Sequence, residues 1–277
     1  METVDLTEVQ WDHNLTSYTS GGAYLKATIE VDGEKRYLKL SNYDDERGFI
    51  GLESIYEYLA SKLGQLLGLD VLDSGILKAR ISHNGREHLV FIQQTHDFLL
   101  PGTSKTPFER LYVADRLEGE TRLAFLRRSG FSERTDEMLL FDYLIYNRDR
   151  HCNNLEFLKG TSGSGGLFLA PLFDNGVSFF APFADRRDEI ESFDLLSNKI
   201  TNSDFGTRYL EDNLGLIEAP ERALALLAHN SLTEATLAKT LFSAFDDDEA
   251  FPGWHRAKAL ELIIKRMHRA QTILNNR

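Results

Sequence analysis

Two tight-turn signals, Asp32-Gly33 and Asn84-Gly85, each stand between runs rich in alternating apolar and polar residues. Both dipeptides tolerate the positive φ that short hairpin turns require, because Gly carries no Cβ and Asn and Asp accept the left-handed region. They predict one hairpin from strands at 23–31 and 35–40 and a second over about 71–93. Between the hairpins, Leu52, Ile55, Tyr56, Leu59, Leu63, Leu66 and Leu67 recur at helical spacing, and Gly68 is a natural stop. A helix over 52–67 follows. Two hairpins around one helix commit the first part of the chain to a small α+β lobe.

The pattern changes after Gln94. Helical spacing fits 107–128 and 132–146, with Ser132 as a suitable N-cap and Asp136 and Glu137 near the first turn. Residues 155–158 and 167–172 read as two short strands joined by a glycine- and serine-rich connector at 160–166. From Ala219 onward helical patterns dominate, with Asp246-Asp247-Asp248-Glu249 expected as a solvated loop. The fold class expected is α+β, two-lobed and protein-kinase-like. A β-rich lobe would span 1–96 and a mainly α-helical lobe 97–277, with a cleft between them.

At 277 residues and 42% hydrophobic content the chain is large enough for such a pair of lobes. A net charge of −12 argues against broad nucleic-acid or anionic-membrane binding. The single cysteine, Cys152, excludes an intrachain disulfide and suits a reducing, cytoplasmic setting; export as an effector stays open. The acidic start Met1-Glu2-Thr3-Val4-Asp5 does not read as a signal peptide, and no apolar run is long enough to span a membrane.

The chemistry concentrates at Asn147-Arg148-Asp149-Arg150-His151-Cys152-Asn153-Asn154 and Phe173-Asp174-Asn175-Gly176. Phosphoryl transfer needs an oriented acceptor hydroxyl and neutralised phosphate charge rather than covalent help. Asp149 suits the first need as a proton acceptor. Asn154 and Asp174 offer the hard oxygen ligands that magnesium prefers. Apolar residues before each acid (Phe141, Leu144 and Ile145; Leu169, Leu172 and Phe173) imply a buried frame around exposed carboxylates. His151 reads as support for the loop, since zinc would need further His or Cys nearby. Arg148 and Arg150 either contact phosphate or balance the acids.

Upstream, Thr19-Ser20-Gly21-Gly22-Ala23 would let backbone N–H groups approach phosphates just before the first strand. Lys39 lies on the second strand of the first hairpin, on the face opposite Leu38 and Leu40, where it could reach nucleotide phosphates. Lys26 has a comparable position. Glu53 and Glu57 share one face of the following helix, and either could pair with Lys39.

With these residues in view, the chain resembles the HipA-like serine/threonine kinases, the toxin kinases of bacterial toxin–antitoxin systems. The segment from Thr19 to Lys26 is similar to that family's phosphate loop, and the stretch from Glu57 to Leu63, ending at Gly68-Leu69, to its Glu-Tyr helix. Asn147-x-Asp149-x-His151-x-x-Asn154 resembles its catalytic loop, and Leu169-Ala170-Pro171-Leu172-Phe173-Asp174 its metal-binding strand end. The resemblance implies ATP and magnesium as cofactors, Asp149 as catalytic base, and Asn154 and Asp174 as metal ligands. It implies Lys39 on the phosphates and the backbone near Gln93, Gln94 and Thr95 against adenine. It also implies a protein substrate with a Ser or Thr hydroxyl, an antitoxin partner, and self-phosphorylation at Thr19 or Ser20. With some 18 residues before the phosphate loop, the chain reads as a short, core-only variant, and Asn153 stands where a basic residue is common.

The expected function is therefore a magnesium- and ATP-dependent protein kinase. The alternatives are a small-molecule or lipid kinase on the same fold, a non-catalytic nucleotide-binding regulator, and a metal phosphohydrolase using Asp149, His151 and Asp174.

Overall fold

The computed structural model describes residues 1–12, 24–99, 101–161, 166–229, 232–245 and 250–277. The Gly21-Gly22-Ala23 loop with Thr19 and Ser20, most of the glycine-serine connector, and Asp246 to Glu249 lie outside the described residues.

Both hairpins form where the turn residues place them. β2 (Lys26–Val31) and β3 (Glu34–Lys39) join through Asp32 (φ 53°) and Gly33 (φ 79°). β6 (Ser74–His83) and β7 (Arg86–His96) join through Asn84 (φ 50°) and Gly85 (φ 71°). With β1 (Thr3–Leu6) they make a five-stranded sheet in the order β1-β6-β7-β3-β2, in which β1 pairs parallel to β6. The small hairpin of β4 (Tyr43–Asp44) and β5 (Gly48–Phe49) follows β3. The helix α1 (Glu53–Leu66) comes next, and Gly68, at φ +72°, carries the chain away from it.

Both faces of the sheet carry buried apolar residues. Leu25, Ala27, Leu38, Leu40, Ala79, Ile81, Val90 and Ile92 form one core, while Phe91 on β7 turns the other way to join Ile55, Leu59 and Leu63 of α1. This is the two-residue alternation of a pleated strand. Each fully buried side chain of that size contributes about 1.5–3 kcal/mol. Gly64 allows the close contact of α1 with the turn after it, since a Cβ there would lie 2.5 Å from Val71 Cγ1.

The second lobe is built on α4 (Ser132–Leu144), in which every residue from Thr135 to Leu144 is buried. Around it lie α2 (Phe108–Asp115), α3 (Arg122–Leu126), α5 (Arg187–Glu191), α6 (Leu210–Leu214), α7 (Pro220–Leu227), α8 (Glu234–Phe242) and the long α9 (Gly253–Asn275). Arg266 of α9 is fully buried. It donates to the carbonyls of Tyr143, Leu195 and Ser197 and lies over the rings of Tyr143 and Tyr146. It thereby fixes the C-terminal end of α4. A three-stranded sheet, β10 (Leu167–Leu169), β9 (Glu156–Gly160) and β8 (Thr103–Pro107), covers the side nearest the cleft.

Several elements differ from the sequence expectation. The helix expected over 107–128 is broken: Arg116 turns extended (ψ 146°), Gly119 takes φ +72°, and the Thr121 hydroxyl caps α3 by accepting Ala124 N–H at 3.2 Å. Ser132 does not cap α4. The chain enters through a wide turn at Arg127–Phe131, with Gly130 at φ +89°, and the N-cap position falls on Phe131. β1 and β8 are short and lack clear alternation, and they form by pairing, β1 with the longer β6 and β8 with β9. The strand expected over 167–172 ends at Leu169. Leu172 instead bridges to Val71, with Leu72 N–H bonding to Leu172 O at 2.9 Å and Leu172 N–H to Asp70 O at 3.0 Å. That link ties the two lobes directly beneath the cleft.

Candidate active site

The strand register assembles one wall. Lys26 lies opposite Lys39, and Lys39 opposite Gln93, so the three stand in one row across β2, β3 and β7. Lys39 Nζ lies 3.1 Å from Glu57 Oε1 and also contacts Asp174 Oδ1. Glu53, the alternative partner, instead accepts the backbone N–H of Asn42 at 3.0 Å. Glu57 is buried in the middle of α1, and its second oxygen accepts Asn175 N–H at 2.9 Å.

These charges shift one another. Burial disfavours the Lys39 ammonium, but the carboxylates of Asp174 and Glu57 outweigh it and raise the lysine pKa well above normal. Burial also opposes the Asp174 carboxylate, yet Lys39, with Lys26 and Arg150, holds it below the usual range. Glu57 is pushed upward, first by burial and then by the nearby Asp174 charge, with Lys39 offsetting part of the effect.

The opposite wall is the loop after α4. Tyr146 leaves the helix at φ +54°, an uncommon conformation for a bulky residue that the packing around it enforces. Asn147 donates through Nδ2 to Asp142 at 2.8 Å and accepts Asp149 N–H at 3.1 Å. Arg150, 1% exposed, faces inward. It pairs with Asp142 through Nε and Nη2 and donates to the carbonyls of Asn154 (3.3 Å) and Phe173 (3.0 Å) and to Asn175 Oδ1 (2.6 Å). One guanidinium thus binds the 147–154 loop to the 173–175 segment. Of the two roles open to Arg150 in the sequence, its burial is compatible only with charge balance.

Asp149 is partly exposed. Its Oδ1 accepts Asn202 Nδ2 at 2.6 Å, and its Oδ2 lies 3.7 Å from His151 Nε2. His151 Nδ1 accepts Asn153 N–H at 3.2 Å, so the imidazole braces the loop. Asn154 donates through Nδ2 to Asp149 O at 2.8 Å, which turns its amide oxygen away from that carbonyl. Asp174 sits at φ +58° where the chain leaves Phe173. Among the described residues, no three His, Cys, Asp or Glu side chains cluster as a metal site. Burial and the adjacent Asp204 push the Cys152 thiol up to about 11, which disfavours the nucleophilic thiolate.

The cleft is lined by Ala27, Leu38, Leu72, Phe98 and Phe173, together with Lys26, Lys39, Glu57 and Asp174. Gln93, Gln94 and Thr95 pair on both edges, with β3 on one side and β6 on the other. Their backbone groups are therefore taken up by the ladders. Gln93 and Thr95 border the cleft, Gln94 does not, and the Gln93 amide donates to Ser74 Oγ at 2.9 Å. The chain leaves the sheet only at Asp97. There Phe98 stacks on Phe173 with centroids 5.8 Å apart, and Lys105 bonds Asp97 at 2.8 Å while lying 4.0 Å over the Phe98 ring. Sequence reading missed Phe98, Lys105, Asp142 and Asn202 as site components. Only the apolar Phe98 within a polar connector and the acid Asp142 inside an apolar helix gave any signal.

No family model matches the chain, and no curated protein matches its sequence. Solved structures do match. The Helicobacter pylori proinflammatory kinase CtkA aligns with a TM-score of 0.68 at 16% identity, over 99% of this chain and 98% of CtkA. The fold is that of a two-lobed kinase. HipA of Shewanella oneidensis MR-1, solved with HipB and operator DNA, aligns at 0.50 and 16% identity over 95% of this chain and 66% of its own. A Golgi casein kinase aligns at 0.50 and 13% identity over 93% and 71%. The fold expected from the HipA-like motifs is thus the fold found. No described helix is long and apolar enough to cross a membrane.

Proposed function

We propose that the chain is a magnesium- and ATP-dependent phosphotransferase that phosphorylates Ser or Thr hydroxyls of proteins. The observation that carries this reading is that Lys39, Glu57 and Asp174 meet in the cleft while Arg150 binds the segment of Asp174 to the loop that carries Asp149 and Asn154. The kinase-like fold supports it.

The donor set fits magnesium. Asp174 supplies a carboxylate and Asn154 an amide oxygen, both hard ligands, and a magnesium site of one or two protein groups is normally completed by phosphate oxygens and water. The bound ion would neutralise charge developing on the transferred phosphoryl group. Lys39, held by Glu57, would bind the nucleotide phosphates. The apolar walls with Phe98 and Phe173 would hold the base. Asp149 would accept the proton of the acceptor hydroxyl as its oxygen bonds to the γ-phosphorus and the bond from that phosphorus to the bridging oxygen breaks, giving a phosphate monoester and ADP.

The test incubates wild type and Asp149→Ala with γ-labelled ATP and magnesium, using dephosphorylated casein, cell extract, or the chain alone. Labelled protein from wild type and none from Asp149→Ala is the expected result. Labelled small molecules without labelled protein would move the assignment to a small-molecule kinase. No transfer from wild type would remove it. Intact-mass analysis of residues 17–20 tests self-phosphorylation, and co-purification tests a HipB-like partner, which likeness to HipA alone suggests.

A further inference from the structure

Asn202 lies some fifty residues beyond the catalytic loop, yet its side-chain amide donates to Asp149 Oδ1 at 2.6 Å. The segment that carries it is built to stay there. Asn202 N–H bonds to Arg148 O at 2.8 Å, Asp204 N–H to Arg150 O at 3.0 Å, and Asp204 Oδ2 accepts Cys152 N–H at 2.8 Å. Thr201 closes the segment on itself, donating through N–H and Oγ1 to Arg208 O. Phe205, fully buried, anchors it edge-on to Phe108 at 5.0 Å. All these anchors are independent of the Asn202 side chain, which is itself exposed.

We infer that Asn202 is a positioning residue for phosphoryl transfer, orienting the Asp149 carboxylate toward the acceptor hydroxyl. The inference rests on the phosphotransfer reading above. A carboxylate turns freely about its Cβ–Cγ bond unless a donor fixes one oxygen. Here Oδ1 is fixed by Asn202, whereas Oδ2, 3.7 Å from His151, lies beyond hydrogen-bond reach of that ring and is free to take the proton. Losing the donor leaves the base present but unaimed, which lowers the chemical step without touching the nucleotide site.

The test compares Asn202→Ala, Asn202→Asp and Asn202→Gln in the full chain, with γ-labelled ATP, magnesium and dephosphorylated casein, or self-labelling where casein is not labelled. Asn202→Ala should lower kcat about 10- to 100-fold, as a misaimed reacting group does. Its KM for ATP and its melting temperature should stay at wild-type values. Asn202→Asp keeps the shape but replaces the donor with a second carboxylate and should lose at least as much. Asn202→Gln keeps a donor and should retain more activity than Asn202→Ala. An unchanged kcat in Asn202→Ala, or a loss expressed in KM for ATP, would overturn the inference. Absence of transfer by wild type would instead overturn the phosphotransfer reading beneath it.

Discussion

Glu57 of α1 accepts the backbone N–H of Asn175 at 2.9 Å across a separation of 118 residues. Its other oxygen holds Lys39 at 3.1 Å. One buried carboxylate therefore holds both Lys39 and the backbone just past Asp174, and joins the two lobes within the cleft.

Glu57→Gln keeps an acceptor for Asn175 but removes the charge facing Lys39. Hydrogen bonds to charged groups contribute about 1.5–3 kcal/mol, so kcat/KM for ATP should fall roughly 10- to 100-fold. Steady-state kinetics over a range of ATP concentrations checks this.

Gly176 packs its backbone against the same helix. A Cβ there would lie 3.1 Å from Glu53 Cβ, 3.2 Å from Glu53 O and 3.3 Å from Glu57 Cγ. Gly176→Ala should therefore push the 174–176 segment off α1, costing about 1–3 kcal/mol of stability as overpacking does, together with a loss of transfer. Denaturant titration and a transfer assay read the two effects.

Arg150→Met should unfold the site rather than tune it. It would strand the buried Asp142 carboxylate, and breaking a buried pair from one side costs about 3–5 kcal/mol. The same change frees the carbonyl of Phe173 and the Asn175 amide. Thermal melting should show a large drop that Asp142→Ala combined with Arg150→Met partly relieves.

Burial pulls the His255 pKa down to about 4, and its Nε2 lies 2.8 Å from Tyr56 OH. The unfolded chain, with an ordinary value of about 6.5, binds the proton more readily between those limits. Stability should thus fall as pH drops through this window, by about 2 kcal/mol from pH 7 to pH 5. Equilibrium unfolding at both values, compared with His255→Gln, isolates the contribution.

The hairpins and α1 were legible because their signals are local. Asp32-Gly33, Asn84-Gly85 and the leucine spacing each act within a few residues. Motif spacing singled out Lys39, Asp149, Asn154 and Asp174, and the fold brings Lys39 and Asp174 into contact. The choice of Glu57 over Glu53 was not, since both share a helix face and only the tertiary path of Asn42 and Asn175 separates them. Gln93 to Thr95 looked available to a base because a strand does not reveal in sequence whether both its edges are paired. Asn202 carries no local pattern at all, and only the fold brings it to Asp149.

The pairing of Asn202 with Arg148 and of Asp204 with Arg150 also bears on synthesis. A nascent chain that has emerged only as far as residue 200 already contains Lys39, Glu57, Asp149, Asn154 and Asp174. It lacks the rungs that hold the catalytic loop in register. The order of emergence therefore releases Lys39, Glu57 and Asp174 before the segment that pairs with Arg148 and Arg150, so the loop carrying Asp149 gains its last backbone partners only after the rest of the site has been made.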